Sequence, residues 1–265
     1  MTVLLSVSLI VWVIWGNSAL VLNTVTVASK NLPKSFSGFR IAHVSDLHNT
    51  QMGDENEKLL SLIKSANPDI IALTGDIIDS RDTDVDIALD FVKNAVEIAP
   101  CYYVTGNHEA RVGADFEKLE SGLGELGVMV LRNDKTALEY GGEKITIIGL
   151  DDRAFGIDVD RILESLSCEE DSFTLLFSHR PELFDTYVKN EIDLTLSGHA
   201  HGGQIRLPFV GGIVAPGQGL FPKYDAGLYT EGDSKMVVSR GIGNSIVPLR
   251  FNNRPEVILI ELKAE

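Results

Sequence analysis

The sequence predicts an α/β fold in which two β-sheets stack as a sandwich with helices on the outer faces. Three observations predict it. Short apolar runs alternate with amphipathic stretches from residue 39 onward. Each of five such runs ends in small, acidic or imidazole residues. Three further strand-like runs follow one another without long helices between them.

In chain order, Asn31-Leu32-Pro33 and Ser37-Gly38 punctuate the entry into the domain. Phe39–Ser45, Asp69–Thr74, Cys101–Thr105, Ser172–Ser178 and Asp193–Ser197 read as buried strands. Helices are expected at Asn56–Ala66, Val85–Ile98, Phe116–Leu126, Val159–Leu166 and Leu183–Lys189. The second of these carries Ile87, Ala88, Phe91, Val92, Ala95 and Val96 near a helical period. Lys144–Leu150, Lys235–Ser239 and Pro255–Leu262 read as strands of a second, more antiparallel sheet.

Ahead of the domain, Val3–Trp15 contains no charge, and apolar character resumes at Ala19–Leu22. The first run alone spans about 20 Å as a helix, short of the roughly 30 Å of a bilayer core, so crossing requires an extension to about Leu22. Residues 1–22 therefore read as a membrane anchor and 23–265 as the domain, with Trp12 and Trp15 suited to an interface. A cleaved signal peptide or a buried element of the domain are the alternatives. The missing basic n-region and the poor Asn17-Ser18-Ala19 cleavage site argue against a signal peptide. The expected location is the cell membrane, single-pass or peripheral, with the domain on the extracytoplasmic side. A monomer is expected.

The net charge of −15 excludes an extended nucleic-acid surface, which needs stripes of Lys and Arg. It leaves room for a small phosphorylated ligand if bound cations reverse the local field. Cys101 and Cys168 make neither a disulfide framework nor a metal knuckle, and two ordinary buried thiols are expected.

Ligands of open α/β sheets sit beyond the carboxyl ends of the strands. Here the five strand ends deliver Asp46-Leu47-His48, Gly75-Asp76-Ile77-Ile78-Asp79, Gly106-Asn107-His108-Glu109, His179 and Gly198-His199-Ala200-His201. Five of the 6 histidines fall in these places, while His43 lies inside a strand and reads as a core residue. Carboxylates, imidazoles and an amide with flanking glycines are what a pair of divalent cations demands. His199 and His201 would serve neighbouring ions. Mixed nitrogen and oxygen ligands suit Mn, Fe or Zn. Asp79 and Glu109 read as loop-organising residues.

The blocks DLH, GDIID, GNHE, a lone His and GHAH, in this order, resemble the calcineurin-like metallophosphoesterase superfamily over roughly Phe39 to Gln204. The later stretches GGQIRLP, PKYDAGLY, VSRGIGNS and PLRFNNRPE look like its bacterial membrane-anchored phosphodiesterase branch, some members of which cleave UDP-2,3-diacylglucosamine. The resemblance implies that Asp46, His48 and His201 bind one metal, that Asn107, His179 and His199 bind the other, and that Asp76 bridges both. It implies that His108 ligates neither ion and protonates the leaving oxygen. Ala200 departs from the Thr more common in this branch.

The chemistry so implied is hydrolysis of a phosphodiester or pyrophosphate bond, in a small or lipid-linked substrate, by attack of a metal-bound hydroxide. Arg240, Arg250 and Arg254 are candidates to grip the phosphate by forked hydrogen bonds, against the alternative of surface salt bridges. Asp151-Asp152-Arg153, at another strand end, is a weak candidate for the substrate rim. A silent metal-supported scaffold and a nuclease of the same superfamily are the competing functions. The complete ligand set argues against the first and the acidic balance against the second.

Overall fold

The computed structural model describes residues 12–167, 172–244 and 249–265. Two six-stranded mixed sheets carry the fold. The first has the order β1 (Val21–Ser29), β16 (Glu256–Ala264), β2 (Arg40–Val44), β3 (Ile70–Thr74), β4 (Cys101–Val104) and β5 (Met129–Val130). The second has the order β14 (Gly227–Glu231), β15 (Ser234–Val238), β9 (Leu194–Ser197), β8 (Thr174–Phe177), β7 (Glu143–Gly149) and β6 (Asp134–Tyr140). Five helices, α1 (Glu57–Ala66), α2 (Val85–Ala95), α3 (Ala114–Glu125), α4 (Val159–Ser165) and α5 (Phe184–Lys189), fall where the periodicity puts them, within three residues at either end.

Alternation along the strands builds the layers, because successive side chains leave opposite faces of a sheet. In β3, Ile70 and Ala72 face the second sheet, while Ile71 and Leu73 face the helices. The inter-sheet core joins Ile41, Ala72, Val104 and Ile258 to Ile147, Leu175, Leu196 and Val237. Outside the first sheet lie Leu59, Ile63, Phe91, Val92, Leu119 and Leu123 of α1 to α3. Outside the second, Leu163 of α4 and Phe184 and Tyr187 of α5 pack on Ile148, Leu176 and Met236. The result is four layers, helix–sheet–sheet–helix.

The second sheet is only slightly the more antiparallel. Its β6–β7 and β14–β15 pairs are antiparallel, against β2–β16 alone in the first. The strand expected at Pro255–Leu262 belongs to the first sheet, a correction to the sequence reading. It is β16, parallel to β1 and antiparallel to β2. Its Val257, Ile258, Leu259 and Ile260 are all buried, so both faces need cover, which only an interior position supplies.

Val21 and Leu22, read as the end of the hydrophobic segment, begin β1 and pair with Glu256 and Val257. The first sheet thus begins two residues before the expected boundary. Residues 12–18 are helical, and half of the expected anchor, residues 1–11, lies outside the described residues. Among the described residues no helix is long and apolar enough to cross a membrane. Cys101 is buried and its thiol is pushed up to about 12 by that burial, whereas Cys168 lies outside the described residues.

Candidate metal centre

The carboxyl ends of β2, β3 and β4 in one sheet meet those of β8 and β9 in the other, so both sheets contribute to one buried cluster. The chain turns there without the help of glycine alone. Asp46, His48, Asp76, His199 and His201 all have φ between 47° and 63°, a left-handed conformation that costs most residues energy and that folded chains retain chiefly at functional sites. At Gly198 the constraint is space. A Cβ there would stand 1.8 Å from Ser45 Oγ and 2.4 Å from Asp46 Oδ2.

Three groups of ligand atoms result among the described residues, one of them His48 with Asp79 and His108, and the other two hold the expected ligands. Asp46, His48 and His201 form the first, with His201 Nε2 3.2 Å from both Asp46 Oδ1 and His48 Nε2. Asp76, His179 and His199 form the second, with His179 Nε2 3.1 Å from Asp76 Oδ2 and 3.2 Å from His199 Nδ1. Asp76 Oδ2 also lies 3.7 Å from His48 Nε2, so one carboxylate oxygen stands between the groups. Its other oxygen accepts the His108 backbone N–H at 2.8 Å. Asn107 Oδ1 is buried without a hydrogen-bond partner in the protein, which suits an atom reserved for a cation. The donor set fits a pair of divalent ions.

The surroundings orient these ligands. His179 Nδ1 donates to Thr74 O at 2.7 Å, which leaves Nε2 directed at Asp76. Burial opposes the charge on His179, but Asp76 outweighs it and the imidazole is raised to about 10. His48 is likewise raised against its burial, by Asp46 and Asp76. His201, by contrast, is depressed to about 3 by burial, and His199 falls far below its usual value through burial and the positive charge of His179. Both carboxyls are held below the usual range, because neighbouring imidazoles outweigh their desolvation.

His108 stands beside the first group. Its ring lies edge-on to that of His48 with centroids 4.5 Å apart, and its Nδ1 accepts the Ser80 backbone N–H at 2.9 Å. The neutral ring therefore carries its proton on Nε2. Asp79 sits 3.4 Å from His108 Nδ1 and 3.9 Å from His48 Nδ1, itself pinned by Arg81. Glu109 binds no ligand group. It accepts the backbone N–H groups of Asp76, Ile77 and Gly106 within 3.0 Å, tying two metal-bearing loops together. His43 is in the core, bonded through Nε2 to Thr74 Oγ1 at 2.7 Å.

The three arginines that are candidates to hold phosphate are engaged by other partners in the structure. Arg250 is 1% exposed, with Nη1 donating to Arg240 O, Nη2 to Gly243 O and Nε to Asn244 Oδ1. Arg240 pairs with Glu256 at 2.6 Å. Arg254 donates to Ala19 O and Leu20 O and lies over the Trp15 ring. Each guanidinium fastens a segment of the fold.

The sequence reading missed Arg180 and gave little weight to Asp152. Arg180 Nη1 lies 2.7 Å from His199 Nε2, and Nη2 donates to Asp152 Oδ1 at 2.9 Å. Both residues are buried. The available signals were the position of Arg180 beside His179 and of Asp152 at a strand end.

Comparison with known proteins agrees with this geometry. The profile of the family described as calcineurin-like phosphoesterase matches residues 39–203. The metallophosphoesterase YkuE of Bacillus subtilis is 35% identical over 247 residues, covering 90% of this chain and 84% of its own. The phosphodiesterase YaeI of Escherichia coli is 31% identical over 233 residues, covering 84% of this chain and 82% of its own. Among solved structures, TT1561 of Thermus thermophilus superposes with a TM-score of 0.54 at 14% identity, over 78% of this chain and 91% of that one, a likeness of fold. With its fold, its paired ligand groups and these relatives in agreement, the chain belongs to the calcineurin-like phosphoesterase family and is a metal-dependent phosphoric ester hydrolase.

Proposed function

We propose that the protein hydrolyses a phosphodiester or pyrophosphate bond in a small or lipid-linked substrate at the membrane, using two divalent ions drawn from Mn, Fe and Zn. The observation that carries this reading is Asp76 Oδ2, placed between His179 Nε2 at 3.1 Å and His48 Nε2 at 3.7 Å. In this reading Asp46, His48 and His201 hold one ion, Asn107, His179 and His199 the other, and Asp76 both. Bound there, divalent ions lower the pKa of water and neutralise the nonbridging oxygens of the phosphorus centre.

The protein's own groups do the rest. Thr74 O and the His108 N–H fix the ligand orientations before substrate arrives. His108 holds a proton at Nε2 for the leaving oxygen, with Ser80 N–H keeping Nδ1 unprotonated. The bond class follows the phosphodiesterase relative, and the membrane setting follows the uncharged Val3–Trp15 run. The extracytoplasmic side is the favoured location.

The test is metal analysis of the purified protein together with Mn-dependent hydrolysis of bis-p-nitrophenyl phosphate, a phosphomonoester panel and UDP-diacylglucosamine. Two ions per chain with diester or pyrophosphate turnover is the expected result. Turnover confined to monoesters would overturn the proposed bond class.

A further inference from the structure

Between the metal centre and β14 the chain makes two short hairpins that share Ile213. The first pairs β10 (Arg206–Leu207) with β11 (Gly211–Gly212), and the second pairs β12 (Val214–Ala215) with β13 (Gly219–Leu220). Their outward residues are apolar. Phe209 is 109% exposed, Leu220 70%, Phe221 66%, Val210 54% and Leu207 42%. Soluble surfaces seldom expose so many large apolar side chains together without something to cover them.

The N-terminal segment is tied to the base of these hairpins. Arg250 exchanges hydrogen bonds with the Asn17 side chain, while its neighbour Phe251 bridges to Ile205 and accepts from Arg206 N. Consecutive residues thus clamp the helical residues 12–18 to the base of the first hairpin. Trp12, Ile14 and Trp15 on those residues are exposed, as is Leu249. Residues 1–11, which precede them, contain no charged side chain.

The hairpins also border the centre. The first begins five residues after His201, whose carbonyl is held by Asn253 Nδ2 at 2.7 Å. The second approaches Glu182 at Gly217, and Glu182 accepts from Arg180, the neighbour of His199.

We propose that this face is a membrane-docking surface. Leu207, Phe209, Val210, Leu220 and Phe221 insert into the interfacial layer of a lipid bilayer, beside Trp12 and Trp15. The metal centre is thereby held at the bilayer surface, where a lipid-linked phosphoester would present its headgroup. Aromatic and aliphatic residues with few cations suit insertion by burial of apolar area rather than by attraction to anionic lipid. The inference rests on the membrane reading above and adds a second contact, independent of residues 1–11.

The test uses the full chain with Cys168→Ser and an environment-sensitive fluorophore on Phe209→Cys, Leu220→Cys or, as a control, Lys144→Cys. Lys144 is exposed at the opposite end of the second sheet, and Cys101 is buried from label. Vesicles of phosphatidylethanolamine and phosphatidylglycerol are the probe. The expected result is a blue shift and quenching by acyl-brominated lipid at 209 and 220, with neither at 144. If the chain floats with vesicles while both hairpin labels stay accessible to aqueous iodide, docking is overturned and the anchor stands. Absence of flotation overturns both. Protection of the labels without vesicles, rising with protein concentration, assigns the face to a second copy and overturns docking. Hydrolysis of a soluble diester reports on the catalytic reading separately.

Discussion

Asp76 carries two duties on one carboxylate. Oδ1 is fixed by the His108 N–H, and Oδ2 stands between the two imidazole groups. Asp76→Asn keeps the shape but removes the charge that both groups share, so it should lose both ions or nearly all activity. Metal analysis alongside hydrolysis decides this, and near-normal activity with two ions would refute the bridging role. His108 makes a sharper case because its ring accepts from Ser80 N–H and hydrogen-bonds neither Asp46 nor Asp76. His108→Ala should keep both ions and slow substrates with poor leaving groups by about 10²–10⁴, with much less effect on good ones. Equal slowing of both would remove it as the proton donor. Glu109 acts through the backbone. Burial and the nearby Asp76 raise its carboxyl to about 7, yet its oxygens accept N–H groups from both loops. Glu109→Ala would strand those buried donors at about 1–3 kcal/mol each. Urea denaturation should show the loss, and unchanged stability would mean the loops hold themselves.

At the scale of elements, the strand ends were legible because their chemistry is local: DLH, GNHE and GHAH announce themselves within a few residues. The helices were legible for the same reason, through their period. Sheet membership was not, since β16 pairs with residues more than 200 positions earlier and its continuous apolar run suits the interior of either sheet. β1 merged with the apolar segment before it, and β6, an edge strand reading Asp-Lys-Thr-Ala-Leu-Glu-Tyr, is too polar to announce a strand. The Arg180–Asp152 pair spans 28 positions, and the backbone engagements of Arg250 leave no sequence trace. The glycines were legible as punctuation, but their reason is spatial. Gly198→Ala would drive a methyl into Ser45 and Asp46 and displace the first ligand group. A loss of about 10–100-fold in metal affinity is expected, the range for groups that orient ligands. Titration of the metal-free variant measures it, and unchanged affinity would show that the close approach is dispensable.

For the whole molecule, the centre stores charge that protons and metal ions compete to neutralise. Without metal, His179 is raised to about 10, although burial opposes its charge, because Asp76 faces it. In the unfolded chain the same imidazole titrates near 6.5. The folded state therefore holds this proton more tightly. The stability it contributes is complete below about pH 6.5 and is lost as pH rises toward 10, at up to about 1.4 kcal/mol per pH unit. His48, raised by Asp46 and Asp76, adds to the trend in the same direction. His201 and His199, both lowered, oppose the trend only near pH 6.5, where the unfolded chain still binds their protons, and contribute almost nothing at higher pH. Divalent ions reverse the situation, since His ligands bind them unprotonated. Metal-free protein should thus lose melting temperature steadily from pH 7 to 10, while the metal-loaded protein shows a much flatter profile. Calorimetry in buffers of different ionisation enthalpy should also show proton release on metal binding at pH 7. A metal-free profile as flat as the loaded one, with no proton release, would mean that the Asp76–His179 pair carries no proton.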